Sequence, residues 1–167
     1  MTMVTVTSVA ADEELLLDLL NSTPMTRGVE SDKLEQTIAW RTWLDTDGAE
    51  AEGRQALTAV RSALQSVVRG DQTTTALEPF LRGIHVAPAV TDSGIEWSLE
   101  GRTLLPARIV MAWDAVSRSK PGRLRACAND ECHLFLLDRS KANTGRWCSM
   151  QSCGNRMKAR RHYSQQS

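Results

Sequence analysis

Four cysteines, Cys127, Cys132, Cys148 and Cys153, form two C-x4-C pairs with residues 133–147 between them. Thiolates are soft ligands, and four of them meet the tetrahedral preference of zinc without redox chemistry. Two ligand pairs on tight turns, joined by enough chain for a hairpin, close one site. The site read here is structural and holds one Zn2+. A catalytic zinc keeps a coordination position open, and four thiolates leave none. The residue types also permit an iron–sulfur cluster, or His133 in place of Cys132. Four unrelated thiols are the bland alternative, and their confinement to residues 127–153 weighs against it.

The second group that can do chemistry follows the last cysteine, in GNRMKARRHY. On a helix, Arg156 and Arg160 are four apart and share a face, and Lys158 and Arg161 flank it. Cationic side chains at a rigid helix end contact phosphates, and Arg also reads guanine in the major groove. Arg156, Lys158, Arg160 and Arg161 are therefore candidate DNA contacts, with Arg146 upstream of that helix as a fifth, against the alternative of a solvated charged face. The charge balance points the same way. Residues 1–117 hold 9 Lys/Arg and 17 Asp/Glu, a net of −8; residues 118–167 hold 11 and 3, a net of +8. A basic end of this kind suits a nucleic-acid partner. Attraction between the two halves, within one chain or between protomers, is the competing explanation.

Several elements must position these groups. Leu134–Leu137 is predicted to form a strand, and Asn143-Thr144-Gly145 to turn the chain back toward Trp147. A helix is expected from Met150 to Tyr163, its dipole favouring the thiolates at its start. A module of this size buries too little apolar surface to fold without metal, and structural zinc contributes about 10–16 kcal/mol in finger peptides. On that basis Cys148→Ser is expected to unfold only the C-terminal module. Ser119-Lys120-Pro121-Gly122 reads as a linker.

Upstream, Glu14–Asn21 reads as a short helix or buried strand, with Leu15, Leu16, Leu19 and Leu20 apolar, ended by Asn21-Ser22-Thr23-Pro24. Ser31 is a candidate N-cap for a helix through Leu34, Ile38, Trp40, Trp43 and Leu44 to about Asp45. Trp40 and Trp43 can line a pocket, but packing is the commoner role for Trp on an amphipathic helix. A second helix spans Glu50 to Arg69, with Leu57, Val60, Leu64, Val67 and Val68 on one stripe. A short third helix spans Thr74 to Arg82. Ile84 and Val86, then Ile95, Trp97 and Leu99, alternate around Thr91-Asp92-Ser93-Gly94, which predicts a β-hairpin. His85 in that hairpin has no ligand spacing and reads as structural. Leu104 to Val116 is again helical, with Pro106 in its first turn.

The chain has 167 residues, 41% of them apolar, enough for one ordinary domain and a small appendage. No run approaches the roughly 20 apolar residues of a membrane span, and MTMVTVTSVAADEE lacks a signal peptide's basic and apolar regions. The expected location is the cytoplasm, where disulfides are rare and clustered cysteines bind metal. No nucleophile–base pair, phosphate loop or catalytic metal spacing is present, and Asp18, Asn21 and the acidic residues have no diagnostic arrangement, so an enzyme is not expected.

The C-terminal segment resembles the CGNR zinc-finger family, whose name is the run Cys153-Gly154-Asn155-Arg156. The resemblance covers about residues 121–163 and includes all four cysteines, Asp138, Ser140, Arg146, Trp147, Lys158 and Arg161. It implies a bacterial DNA-binding transcription regulator, of a kind sometimes linked to stress, with an N-terminal ABATE domain. That domain opens with a stretch resembling L-D-F-V-N-T. LLLDLLNST stands in its place here: Asp18 and Asn21 match, Leu19 replaces the aromatic and Ser22 the threonine. The basic stretch before Trp147 is thinner than the family pattern, since Ala142, Asn143, Thr144 and Gly145 carry no charge.

The expectation from all of this is an α+β protein. A mostly helical N-terminal domain with a β-hairpin, residues 1–118, binds a small-molecule effector or forms a homodimer. A small treble-clef-like zinc module, residues 119–167, binds DNA. The alternative is a zinc-stabilised protein-interaction module, with salt-dependent DNA binding as the discriminating observation.

Overall fold

The computed structural model describes residues 2–5, 9–26, 28–34, 50–101 and 104–164. The leucines of the first apolar segment lie on a helix, α1 (Val9–Leu20), which begins earlier than the sequence suggests. Leu15, Leu16, Leu19 and Leu20 are all buried, because their spacing places them on one helical face. The turn after α1 leads to a two-residue ladder of β2 (Met25–Thr26) with β3 (Val29–Glu30), numbering the N-terminal strand Thr2–Thr5 as β1. Ser31 does not act as the expected N-cap among the described residues. Its hydroxyl donates to the Pro24 carbonyl, and the Asp32 carboxylate takes the Leu34 N–H instead. Most of the expected helix beyond Leu34, with Ile38, Trp40, Trp43 and Leu44, lies outside the described residues.

Helix α2 (Glu50–Arg69) has the expected bounds, and Leu57, Val60 and Leu64 form its buried stripe. Thr74–Leu81 is helical, as the sequence predicts, but winds as a 3-10 helix. Pro79 within it has no N–H to donate, so an α-type ladder cannot pass through it, and short segments of this kind tighten. The hairpin pairs β4 (His85–Thr91) with β5 (Gly94–Gly101), Thr91 opposite Gly94 at the turn. Strand β1 adds antiparallel to the other edge of β5, giving the order β1-β5-β4. His85 is exposed on edge strand β4. Helix α3 (Leu104–Ser119) accommodates Pro106 in its first turn and buries Leu104, Leu105, Ile109, Val110, Ala112 and Val116.

One apolar cluster joins α1, α2, α3, Leu34 and Leu77, and it also contains Phe135 from the zinc-module segment. Two polar clamps hold the loop after α1 onto α2. Arg61, buried, donates to the Ser22 hydroxyl at 2.7 Å and to both Asp32 oxygens at 2.9 and 2.6 Å. Gln65 donates to the Leu20 carbonyl and the Thr23 hydroxyl. The Arg61 guanidinium holds the Asp32 carboxyl below its ordinary range, against the opposing effect of burial. The architecture is therefore α+β, helices and small sheets, with the cysteines at its C-terminal end. No helix among the described residues is long and apolar enough to cross a membrane.

Candidate metal centre and basic helix

The predicted linker is a tight turn. Arg123 N–H donates to the Lys120 carbonyl, and Lys120 and Arg139 both pair with buried Glu13 of α1, Arg139 at 2.9 Å. The turn delivers β6 (Leu124–Ala126), which pairs antiparallel with β7 (Phe135–Leu137), Ala126 opposite Phe135. Between the strands lies the first cysteine pair. Cys127 N–H donates to the Leu134 carbonyl, and Cys132 N–H to the Asn129 carbonyl. These bonds curl the loop until both sulfurs face the same side.

The return segment is organised by Asp138, buried at the end of β7. It accepts from Ser140 N–H at 2.8 Å, Gly145 N–H at 2.6 Å and Arg125 Nη2 at 2.7 Å. Hydrogen bonds from Ser140, then from Gly145, and the Arg125 charge hold its carboxyl at about 2, although burial pushes the other way. A Cβ on Gly145 would lie 2.9 Å from the Asp138 carboxyl carbon, so the backbone reaches the carboxylate only as glycine. The turn expected at Asn143-Thr144-Gly145 is present. Asn143 takes a left-handed φ of 50°, and both its oxygens accept from Arg125.

Ala128 N–H donates to the Arg146 carbonyl, which lays the return segment beside the first cysteine loop. Cys148 follows, and Ser149 caps a π-helical turn, Met150–Gly154, that carries Cys153. The expected single helix from Met150 is thus a wide turn followed by α4 (Asn155–Ser164). π-Helical turns of this kind concentrate at functional sites. Gly154 is buried here, and an added Cβ would meet the Met150 sulfur at 2.9 Å.

All four sulfurs lie within 4.8 Å of one another, Cys127 and Cys153 buried, Cys132 and Cys148 half-buried. Cys132 and Cys148 sulfurs are 3.6 Å apart and those of Cys148 and Cys153 3.7 Å. A disulfide requires about 2.05 Å. Tetrahedral zinc with bonds of about 2.3 Å spaces its thiolates about 3.8 Å apart. The observed spacings thus fit four ligands around one ion, and the four cysteines can bind one zinc. An iron–sulfur cluster, whose thiolates bind different irons, needs a wider cage. His133 lies outside the cluster of convergent ligand atoms, and its Nδ1 sits 2.8 Å from a Glu30 carboxylate oxygen.

Hydrogen-bond donors point at the sulfurs. Asn129, fully buried, directs Nδ2 at Cys153 Sγ over 3.3 Å, and Cys148 N–H points at Cys127 Sγ over 3.4 Å. Burial first, then the neighbouring thiols, pushes the Cys148 thiol up, and burial pushes Cys132 up to about 11. Cys153 goes the other way: hydrogen bonds led by Asn129 outweigh its burial. A divalent cation reverses the penalty on the crowded thiols by supplying the opposite charge. Sequence reasoning missed Asn129; its only signal is a polar residue within the first C-x4-C loop.

Four of the five candidate DNA contacts lie on α4. Arg156, Lys158, Arg160 and Arg161 are exposed on α4. Arg146 is exposed with its guanidinium 5.2 Å from the Trp147 ring centre. Arg156 and Arg160 both approach Glu131, from the loop between Cys127 and Cys132. Asn21, expected only as a motif residue, bonds β7 with both side-chain ends: Oδ1 accepts Phe135 N–H at 2.7 Å, and Nδ2 donates to the Phe135 carbonyl at 3.2 Å. Asp18 is largely exposed, and partial desolvation, then the Glu14 charge, raises its carboxyl.

No curated protein matches the chain significantly. A sequence model of the CGNR zinc finger family matches residues 123–166, which hold the two-stranded ladder, all four cysteines and α4.

Proposed function

We propose that the protein is a zinc-dependent DNA-binding transcription regulator that contacts DNA through α4. The observation that carries this reading is the closed four-thiol site beneath a helix on which Arg156, Lys158, Arg160 and Arg161 are exposed. A metal scaffold fixes the helix, and its cations face outward, where phosphates can reach them. Zinc with four thiolates has no open position, so its role is to hold the fold and not to catalyse. The loop between the first cysteine pair, the β6–β7 ladder and the helix after the last cysteine support a treble-clef-like arrangement. Residues 119–167 are the DNA-binding part, and residues 1–118 are an ABATE-like regulatory part that senses an effector or dimerises. Clustered free thiols suit a cytoplasmic location.

A second reading, a protein-interaction module, is favoured by apolar residues exposed on one face of the hairpin. Val86, Val90, Ile95 and Trp97 are exposed there and share one face by register.

A titration of zinc-quantified protein against fragments of its own promoter region, at several salt concentrations, tests the proposal. Binding to one fragment that falls steeply with salt, and is lost in Arg156→Ala/Arg160→Ala, is expected. Zinc-loaded protein that binds no fragment rejects it in favour of the second reading.

A further inference from the structure

Glu131 lies on the loop between the first two cysteines, its N–H directed at the Asn129 side-chain oxygen. From there its carboxylate reaches α4. Arg160 Nη2 pairs with one oxygen, and Arg156 Nη1 lies 3.9 Å from the other. All three side chains are about half exposed: 54% for Glu131, 55% for Arg156 and 50% for Arg160. Two guanidiniums one helical turn apart therefore hold the two oxygens of one anionic group at the protein surface. A backbone phosphate offers the same pattern, two anionic oxygens for the planar donors of Arg, with more charge to bind. Half-exposed ion pairs are weakly held and exchange readily with other anions.

We propose that Arg156 and Arg160 form a fork for a nucleic-acid backbone phosphate, and that Glu131 fills this fork in the free protein and leaves it on binding. The inference rests on the reading that α4 faces DNA. It adds that the chain supplies its own competitor, so affinity is set partly from the first cysteine loop. Binding breaks an internal pair before it forms the intermolecular one, and fewer counterions are released than two free arginines would release.

The test is a titration of a labelled mixed-sequence duplex with zinc-loaded full-length protein, from about 50 to about 200 mM salt. Glu131→Gln is expected to bind about five-fold tighter at the low-salt end, and its affinity to fall more steeply with salt. Asp130→Asn removes a charge from the same loop and is expected to change affinity less than about two-fold, since a general field effect at a solvated site is small. Glu131→Asp keeps the charge but shortens the reach, and is expected to tighten binding as well. Adding Arg156→Ala/Arg160→Ala to Glu131→Gln should abolish the gain. Equal effects of Glu131→Gln and Asp130→Asn, with none from Glu131→Asp, overturn the fork while leaving DNA binding intact. A gain that survives loss of both arginines does the same. If neither the native protein nor any zinc-loaded variant binds the duplex, the DNA reading fails and the inference fails with it.

Discussion

Asn129 shows how much of the metal centre depends on a residue that is not a ligand. It is fully buried, its amide donates toward Cys153, and its carbonyls accept N–H groups of Glu131 and Cys132. Outer-shell partners of this kind set ligand orientation, and their loss costs about 10- to 100-fold in metal affinity. Asn129→Ala is expected to weaken zinc by that factor, read by competition with a chromophoric chelator, while the zinc-to-protein ratio at saturation stays at one. An unchanged affinity would remove Asn129 from the centre. Asp138 works one step further out. Asp138→Asn replaces an acceptor oxygen by a donor facing either an N–H or the Arg125 guanidinium. Faster zinc release to excess chelator than in Asp114→Asn, which alters an exposed i,i+4 pair, is expected. The cysteines were readable because metal ligands must come as a set at workable spacing. The roles of Asn129 and Asp138 were not, since a polar side chain's partners are chosen by chain that arrives from far away in sequence.

Among the elements, the long periodic ones follow their sequence pattern. Helix α2 has the bounds its stripe predicts, and the hairpin turns where Thr91-Asp92-Ser93-Gly94 predicts. Strands β1, β2 and β3 were missed, because two to four residues carry no periodicity and become strands only through their partners. The segment that follows α1 is held to α2 by the Arg61–Asp32 pair, which gives it a pH signature. The folded-state carboxyl of Asp32 titrates below its ordinary value. The pair therefore contributes stability above about 4, the ordinary carboxylate range, and loses it as pH falls through the lower folded-state value. Asp32→Asn should lower stability at neutral pH and flatten the acid limb of a denaturation series measured by circular dichroism. An acid limb identical to that of the native protein would show that this carboxylate does not contribute.

At the scale of the whole molecule, the shared core changes what metal loss should do. Phe135, 1% exposed, belongs to the cluster of α1, α2 and α3; its ring lies under the Arg69 guanidinium and its backbone is held by Asn21. Phe135→Ala is expected to destabilise the fold by about 3–5 kcal/mol, measured by urea denaturation, and Asn21→Ala by about 1–3 kcal/mol. For the same reason Cys148→Ser or a chelator should not unfold only the C-terminal segment, as the sequence alone suggested. Release of zinc frees β7, and β7 carries Phe135 out of the common core. Hydrogen exchange is expected to rise in α1 and α2 as well as in residues 119–164. Protection lost only in the latter would mean the core closes without Phe135.

The sequence by itself determined the ligand set, the cationic helix after it, the periodic helices and the hairpin. Each of these is encoded by nearby residues: thiols at short spacing, charges four apart, apolar side chains at a fixed period. Only the tertiary structure decided that the zinc segment shares its core with the helices, that Asn21 clamps β7, and that Glu131 faces Arg156 and Arg160. Those contacts join residues far apart in the chain, and their energy depends on burial and geometry that no local pattern records.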